Sequence, residues 1–197
     1  MKDNRVLLGF SGGIDSFAAV GLLQAAGYHV TALTLDMRGD SALLEKARLR
    51  AGTLGIPWRM RSVRERFERE VVDYFTDSYF RGRTPAPCTR CNSRIKWPCL
   101  AAEADALGIR HIATGHYFRI TSAGGKRYVT RAADNRKDQS YYLWDLPQEI
   151  LDRVLTPMGT VIKRNIVEGL ADRRESMGVC FLEGRPCLSL IHISEPT

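Results

Sequence analysis

The sequence predicts an α/β fold, a parallel sheet with helices packed on both faces. Three observations predict it. Short runs rich in β-formers alternate with amphipathic stretches of helical length. Glycines close the helical stretches, at Gly27, Gly55 and Gly108. A Gly-rich loop, Ser11-Gly12-Gly13-Ile14-Asp15-Ser16, falls between the first strand and the first helix. In open parallel sheets ligands sit at that end of the strands, where the direction of winding switches.

Residues 5–10 read as a buried strand and 16–26 as a helix with Phe17, Val20, Leu22 and Leu23 on its apolar side. Val30 to Leu35 is a second strand, Leu43 to Leu54 a helix, and Trp58 to Val63 a third strand. Arg64 to Phe80 is a long helix whose Phe67, Val71, Tyr74, Phe75 and Tyr79 recur at helical spacing and read as core. Gly82 to Pro87 is a loop marked by prolines. Ser93 to Leu107 is helical with a break near Pro98, and His111 to Thr114 is a strand. Tyr117 to Arg131 reads as a hairpin around Gly124-Gly125, and Leu146 to Leu155 and Asn165 to Arg173 as helices. Trp58, Trp97 and Trp144 read as core or rim packing, and Cys99 as a buried, inert thiol.

Composition bounds the function. The chain has 197 residues and is 44% hydrophobic, ordinary for a globular protein with a full α/β domain and part of another. No apolar stretch approaches the ~20 residues that span a bilayer, and the opening residues lack a signal-peptide core. The expectation is a cytoplasmic protein with no membrane partner. A net charge of +7 favours a polyanionic partner, although a solvated helix face explains the cations from Arg59 to Arg69 equally well. Five cysteines, an odd count without a secretion signal, argue against a disulfide scaffold and for reactive thiols or metal ligands.

The loop carries the chemistry. Two glycines let backbone approach an anion, and the free N–H groups of a helix N-terminus point at it. Ser11 and Ser16 add hydroxyls. Asp15 would repel phosphate, so it is expected to cap the helix or to hold a Mg²⁺ ion. No Gly-Lys-Ser/Thr follows, so this is neither the Walker pattern nor the dinucleotide fingerprint. The loop resembles that of the N-type ATP pyrophosphatases, which cleave ATP between the α and β phosphates and adenylate a substrate oxygen.

A second constellation starts at Cys88-Thr89-Arg90-Cys91. Alone, a CxxC is half a zinc site, a redox pair or coincidence. The wider pattern is more specific: Gly82 to Lys96 around the CxxC, then Ala113-Thr114-Gly115-His116-Tyr117, then Asn135 to Leu143 with Lys137-Asp138-Gln139, then Gly178-Val179-Cys180-Phe181-Leu182. With the phosphate loop, these segments in this order resemble the tRNA-specific 2-thiouridylases over residues 5 to 186.

The resemblance implies a Rossmann-like domain of the adenine nucleotide alpha hydrolase type over residues 1–144. A partial helical tRNA-binding domain with the second cysteine would follow over 145–186. It implies ATP on Gly9, Phe10, Ser11, Gly12, Gly13, Ile14, Asp15 and Ser16, with Leu35 and Gly115 beside it. It implies adenylation of O2 of the wobble uridine and replacement of that oxygen by sulfur from a cysteine persulfide, leaving AMP. Cys91 matches the cysteine acting on the activated base and Cys180 the persulfide carrier. Ala86, Pro87, Cys88, His116, Lys137, Asp138 and Gln139 match tRNA- or base-contacting positions. Implied partners are tRNA and a cysteine desulfurase or persulfide relay protein. A thiolate near Arg90, Arg94 and Lys96 is expected to have a lowered pKa.

The pattern departs from the family in three places. Cys88 stands where some members have Asp, so Cys88, Cys91 and Cys180 form a set that an iron–sulfur cluster would accept. Asp36 to Asp40 is less acidic than usual, with Asp36 a metal candidate. Residues 187–197 do not continue the resemblance and read as a non-native tail after an early stop, so Cys187 and His192 are set aside. Alternatives left open are another pyrophosphate-loop enzyme, such as an amide-forming synthetase or a different RNA thiolase, and a truncated, inactive ATP- or tRNA-binding module.

Overall fold

An unbroken apolar run such as Val6-Leu7-Leu8 is stable only in a strand covered on both faces. All three side chains are fully buried, in β1 (Arg5–Gly9), the middle of the main sheet. The computed structural model describes residues 3–167 and 180–182. Its main sheet has five strands in the order β3-β2-β1-β4-β7, and every pairing is parallel. These are β2 (His29–Asp36), β3 (Trp58–Ser62), β4 (His111–Thr114) and the two-residue β7 (Val154–Leu155).

The two faces are distinct. Val6 and Leu8 face a cluster built by Ala19, Val20 and Leu23 of α1 (Ile14–Ala25) and by Ala47 and Ala51 of α2 (Ser41–Thr53). Leu7 faces the other side, against Trp97, Leu100, Ala101 and Ala104 of α6 (Trp97–Ala106) and Ile150 and Leu151 of α7 (Gln148–Leu151). The fold class expected from the alternation is therefore found. The chain winds outward from β1 through β2 to β3, then returns to β4 on the opposite side of β1. That reversal opens a crevice beyond the ends of β1 and β4.

The edge strand β3 carries Arg59 and Arg61, which suit an exposed edge. Trp58 there donates through Nε1 to Thr34 Oγ1 at 2.9 Å, and Thr34 donates to the Phe10 carbonyl at 2.7 Å, so this tryptophan is a rim-packing residue. Trp97 is fully buried, whereas Trp144 is 67% exposed.

The long helix expected over 64–80 is continuous but not uniform. α3 (Arg64–Phe67) passes through a π-helical turn (Glu68–Val72) into α4 (Asp73–Phe80). Phe67, Val71 and Phe75 are buried as expected; Tyr74 and Tyr79 are only partly so. The helix expected from Ser93 starts earlier, as α5 (Pro87–Cys91), and so includes the CxxC. Proline at the first helical position explains the early start: its φ suits a helix and its missing N–H has no bond to lose there. A second π-helical turn (Asn92–Lys96) then delivers Pro98 into the first turn of α6. The hairpin is found as β5 (Arg119–Ala123) and β6 (Lys126–Thr130), turning at Gly124-Gly125.

Residues 146–155 correct the sequence reading. They form only the short α7 before chain direction changes and β7 joins the sheet beside β4, past the boundary expected at residue 144. Leu146, Ile150, Leu151 and Val154 pack in the same cluster as Leu7 and Ile112. Their apolar spacing served a turn-and-strand corner as well as a helix, an ambiguity inherent in short apolar runs. Of the helix expected over 165–173, α8 (Lys163–Val167) is described and the remainder lies outside the described residues.

Because Leu8 is fully buried at the sheet centre, Leu8→Ala is expected to cost about 2–5 kcal/mol of stability. Urea unfolding of the two proteins measures the difference; a loss under about 1 kcal/mol would contradict the packing described.

Candidate nucleotide and thiol site

The loop after β1 is shaped by two close approaches. Gly12 has φ +69°, a left-handed conformation that favours glycine, and a Cβ there would stand 2.8 Å from the Ala47 Cα of α2. Gly115, just past β4, is tighter in another way: a Cβ would lie 2.8 Å from the Ser16 amide nitrogen and 3.0 Å from the Asp15 carbonyl carbon. The two loops at the crevice thus meet backbone to backbone. Within the loop, Ser11 Oγ accepts from the Gly13 amide at 3.2 Å and lies 3.2 Å from Ser16 Oγ, which donates to the Gly13 carbonyl at 3.0 Å. Arg50 of α2 donates to the Gly12 carbonyl at 2.5 Å. Gly13 is the N-cap of α1 and no side chain caps the helix, so the cap leaves the first-turn amides without a side-chain acceptor.

Asp15 corrects an expectation. It does not cap α1. Its Oδ1 accepts from the Tyr117 hydroxyl at 2.8 Å, and its Oδ2 from Lys163 Nζ at 3.0 Å. The carboxylate is paired with a buried lysine from α8. Asp36 is likewise engaged: Arg64 approaches its Oδ2 to 2.6 Å and the Gly39 amide donates to Oδ1 at 2.7 Å. The hydrogen bond from Arg64, opposed by burial, holds the Asp36 carboxyl below the usual carboxylate range. Both aspartates organise loops at the crevice.

A cavity of about 640 Å³ occupies the crevice. Of the residues expected to contact the nucleotide, Gly9, Phe10, Ser11, Asp15, Ser16, Leu35 and Gly115 line it, whereas Gly12, Gly13 and Ile14 do not. His116, Gln139 and Cys180 line it as well, with Lys96 and Thr114. The volume lies within the range of small-molecule sites. The apolar side chains of Leu33, Leu35, Met37, Leu43 and Leu44 suit a flat base, and the Ser11–Ser16 end suits phosphate. The residues therefore fit ATP.

Cys180 is exposed and brought to this cavity from far along the chain. Arg38 donates to its carbonyl at 2.8 Å, and the next residue, Phe181, packs edge-on to Phe67 and Phe75 with ring centroids 5.9 and 5.2 Å apart. Cys91 is buried in the cluster that holds Val63, Phe67, Val71 and Ile95. Cys88, Cys91, Cys99 and Cys180 are all free thiols.

The expected lowering of the thiol pKa is not found. Burial pushes Cys91 up to about 11, and the Lys96 ammonium offsets this only in part; charge on Cys180 would raise it further. Cys88 is raised too, again mainly by burial against Lys96. Arg90, which was expected to help, turns away: it donates to the Glu70 carbonyl at 2.6 Å and stacks 4.5 Å over the Tyr74 ring. Cys180 is nonetheless close enough for its charge to act on Cys91. The iron–sulfur reading finds no support: among the described residues no group of three or more His, Cys, Asp or Glu is arranged to hold a metal ion.

The segments expected to contact tRNA divide. His116 stands at the cavity wall with its ring over Trp97, and its Nδ1 is 2.8 Å from Thr114 Oγ1. Desolvation, then the charge of Lys96, pushes it down to about 3, so it is a neutral imidazole. Gln139 clamps the neighbouring loop: its Oε1 accepts from the Tyr117 backbone N–H at 3.0 Å, and its backbone N–H donates to the Tyr117 carbonyl at 2.8 Å. Asp138 turns inward, accepting from the Ala132 amide and the Ser140 hydroxyl. Lys137 is half-buried, as is Cys88; Ala86 is exposed and Pro87 buried, and none of these four lines the cavity. Sequence reasoning missed Tyr117 and Lys163 as partners of Asp15; Lys163 lies 148 residues away, and no local signal announces it.

The model of the tRNA methyl transferase HUP domain family matches residues 4–184, so the chain belongs to that family. It is 46% identical over 191 residues to a protein of Phocaeicola vulgatus named tRNA-specific 2-thiouridylase MnmA 2, covering 91% of this chain and 54% of that one. It is 45% identical to MnmA 1 of Bacteroides fragilis, with coverage of 91% and 52%. It is 38% identical to MnmA of Carboxydothermus hydrogenoformans, with coverage of 90% and 55%. The chain spans about half the length of these curated relatives.

With Cys91 raised to about 11, its alkylation by iodoacetamide should climb about tenfold per pH unit between pH 8 and 10, without levelling off. Mass spectrometry of the labelled peptide follows the rate. A plateau below pH 9 would show that burial does not govern this thiol.

Proposed function

We propose that the chain binds ATP at the Ser11–Ser16 loop and takes part in replacing a tRNA uridine oxygen by sulfur, in the cytoplasm. One observation carries the reading: the phosphate loop and Cys180 line the same cavity, with the Cys91 thiol within electrostatic reach of Cys180. The names of the relatives support the substrate class, and the net charge of +7 suits a polyanion.

In this reading the first-turn amides of α1 and the Ser11 and Ser16 hydroxyls hold the phosphates of ATP. The uridine O2 attacks the α-phosphorus and pyrophosphate leaves. The oxygen, a poor leaving group by itself, now departs as part of AMP. A persulfide on Cys180, loaded by a cysteine desulfurase or a relay protein, attacks C2 through its terminal sulfur. The C2–O bond breaks and its electron pair goes to AMP. Cys91 then attacks the Cys180 sulfur; the S–S bond to the base breaks and 2-thiouridine leaves with that pair. A Cys91–Cys180 disulfide remains, which a thiol reductant reopens. Cys91 is protonated at rest, so it stays silent until a base or a neighbouring cation favours its thiolate. Mg²⁺ accompanying ATP would be held chiefly by the phosphates, because Asp15 is already bound by Lys163 and Tyr117.

The test is incubation of the chain with ATP, a persulfide donor and unmodified tRNA, with AMP and 2-thiouridine measured together. Both products are expected, and thiouridine is expected to vanish in Cys91→Ser and in Cys180→Ser. AMP without thiouridine would overturn the sulfur step, and neither product would overturn the reading as a whole.

A further inference from the structure

Among the described residues, the charges that line the cavity pair off, with one exception. Asp15 is matched by Lys163, Asp36 by Arg64, and Asp40 accepts from the Leu43 amide and lies 3.9 Å from Arg38. Arg38 also donates to the Cys180 carbonyl. Lys96 lines the same wall, half-buried, and has no ion pair or hydrogen bond to any described residue. It sits at the end of the π-helical turn that follows Cys91, fixed between the buried Ile95 and Trp97. Its charge reaches Cys88, Cys91 and His116 at once. None of these is an anion at neutral pH, since both thiols are raised and the imidazole is neutral. A half-desolvated ammonium facing a cavity without a counter-charge is suited to a bound anion.

We propose that Lys96 binds the phosphate next to the ribose, the one that joins AMP to the activated base. The inference rests on the nucleotide reading above and names a residue that reading does not use. The position suits the chemistry. The phosphate of an adenylated base is a diester with one negative charge. When the C2–O bond breaks, its electron pair goes to the phosphate oxygen and AMP leaves carrying a second negative charge. An ammonium at that point offsets the charge as it develops. The same cation, between the phosphate and the buried thiol, favours the Cys91 thiolate when the last step requires it.

Adenosine and AMP are the probes, titrated by calorimetry against the wild-type chain, Lys96→Met and Lys96→Arg, with thermal melts to check folding. Wild type is expected to bind AMP more tightly than adenosine. Lys96→Met should weaken AMP by at least about tenfold and leave adenosine unchanged, while Lys96→Arg keeps most of the AMP affinity. Equal AMP binding by wild type and Lys96→Met would overturn the assignment and leave the ATP site standing. So would weakening of adenosine and AMP alike, which marks a packing role. If wild type binds ATP but prefers AMP no more than adenosine, the assignment also fails. If wild type binds neither ATP nor AMP, the nucleotide reading falls and the assignment with it.

Discussion

The backbone of Gly115 lies against the first turn of α1 with no room for a Cβ, and the rest of the site depends on that contact. It joins the ends of β1 and β4 at the point where the sheet reverses its winding. The amides of the phosphate loop, the His116 ring and the Tyr117 hydroxyl all take their positions from it. Tyr117 reaches Asp15, and Asp15 in turn ties α8 to the loop through Lys163. Strands, loops and a later helix are thereby fixed around one cavity.

Burial and charge oppose each other at the thiols. Cys91 packs among apolar side chains of the segments on either side of it, which makes its neutral form the stable one. The cation that would reverse this is single and only partly effective, because Arg90 is held by Glu70 and Tyr74. A thiol silent in the resting protein suits chemistry in which it must act last, after the base has been activated and sulfur delivered. Cys180 differs in being exposed, which suits the loading by another protein proposed for it.

Much of this was legible in the residues. The apolar strands, the Gly-rich loop and its place before a helix announced the sheet and its ligand end. The aromatic spacing in 64–80 announced a helix, and Phe67 and Phe75 are core. What local pattern could not carry was partnership over distance. Asp15 read as a helix cap or a metal ligand because its partner Lys163 is far away in sequence, and Arg90 looked activating because its partners, Glu70 and Tyr74, were invisible. Residues 146–155 misled for another reason. Two residues of strand at a sheet edge, Val154 and Leu155, leave too short a trace to tell from the end of a helix. Pro87 read as the end of a loop, although it is placed where proline starts a helix, and so the helix was expected only from Ser93.

The most direct test of a shared cavity for nucleotide and sulfur is protection of Cys180 from alkylation. The labelling rate of the Cys180 peptide would be followed with and without saturating ATP, whose binding is established by titration on the same sample. Because Cys180 lines the cavity that ends at Ser11 and Ser16, ATP should slow its labelling several-fold, and Ser16→Ala, with weaker ATP binding, should need more ATP for the same protection. Unchanged labelling of Cys180 in a chain saturated with ATP would contradict the account, because it would place the nucleotide and the sulfur carrier in separate sites.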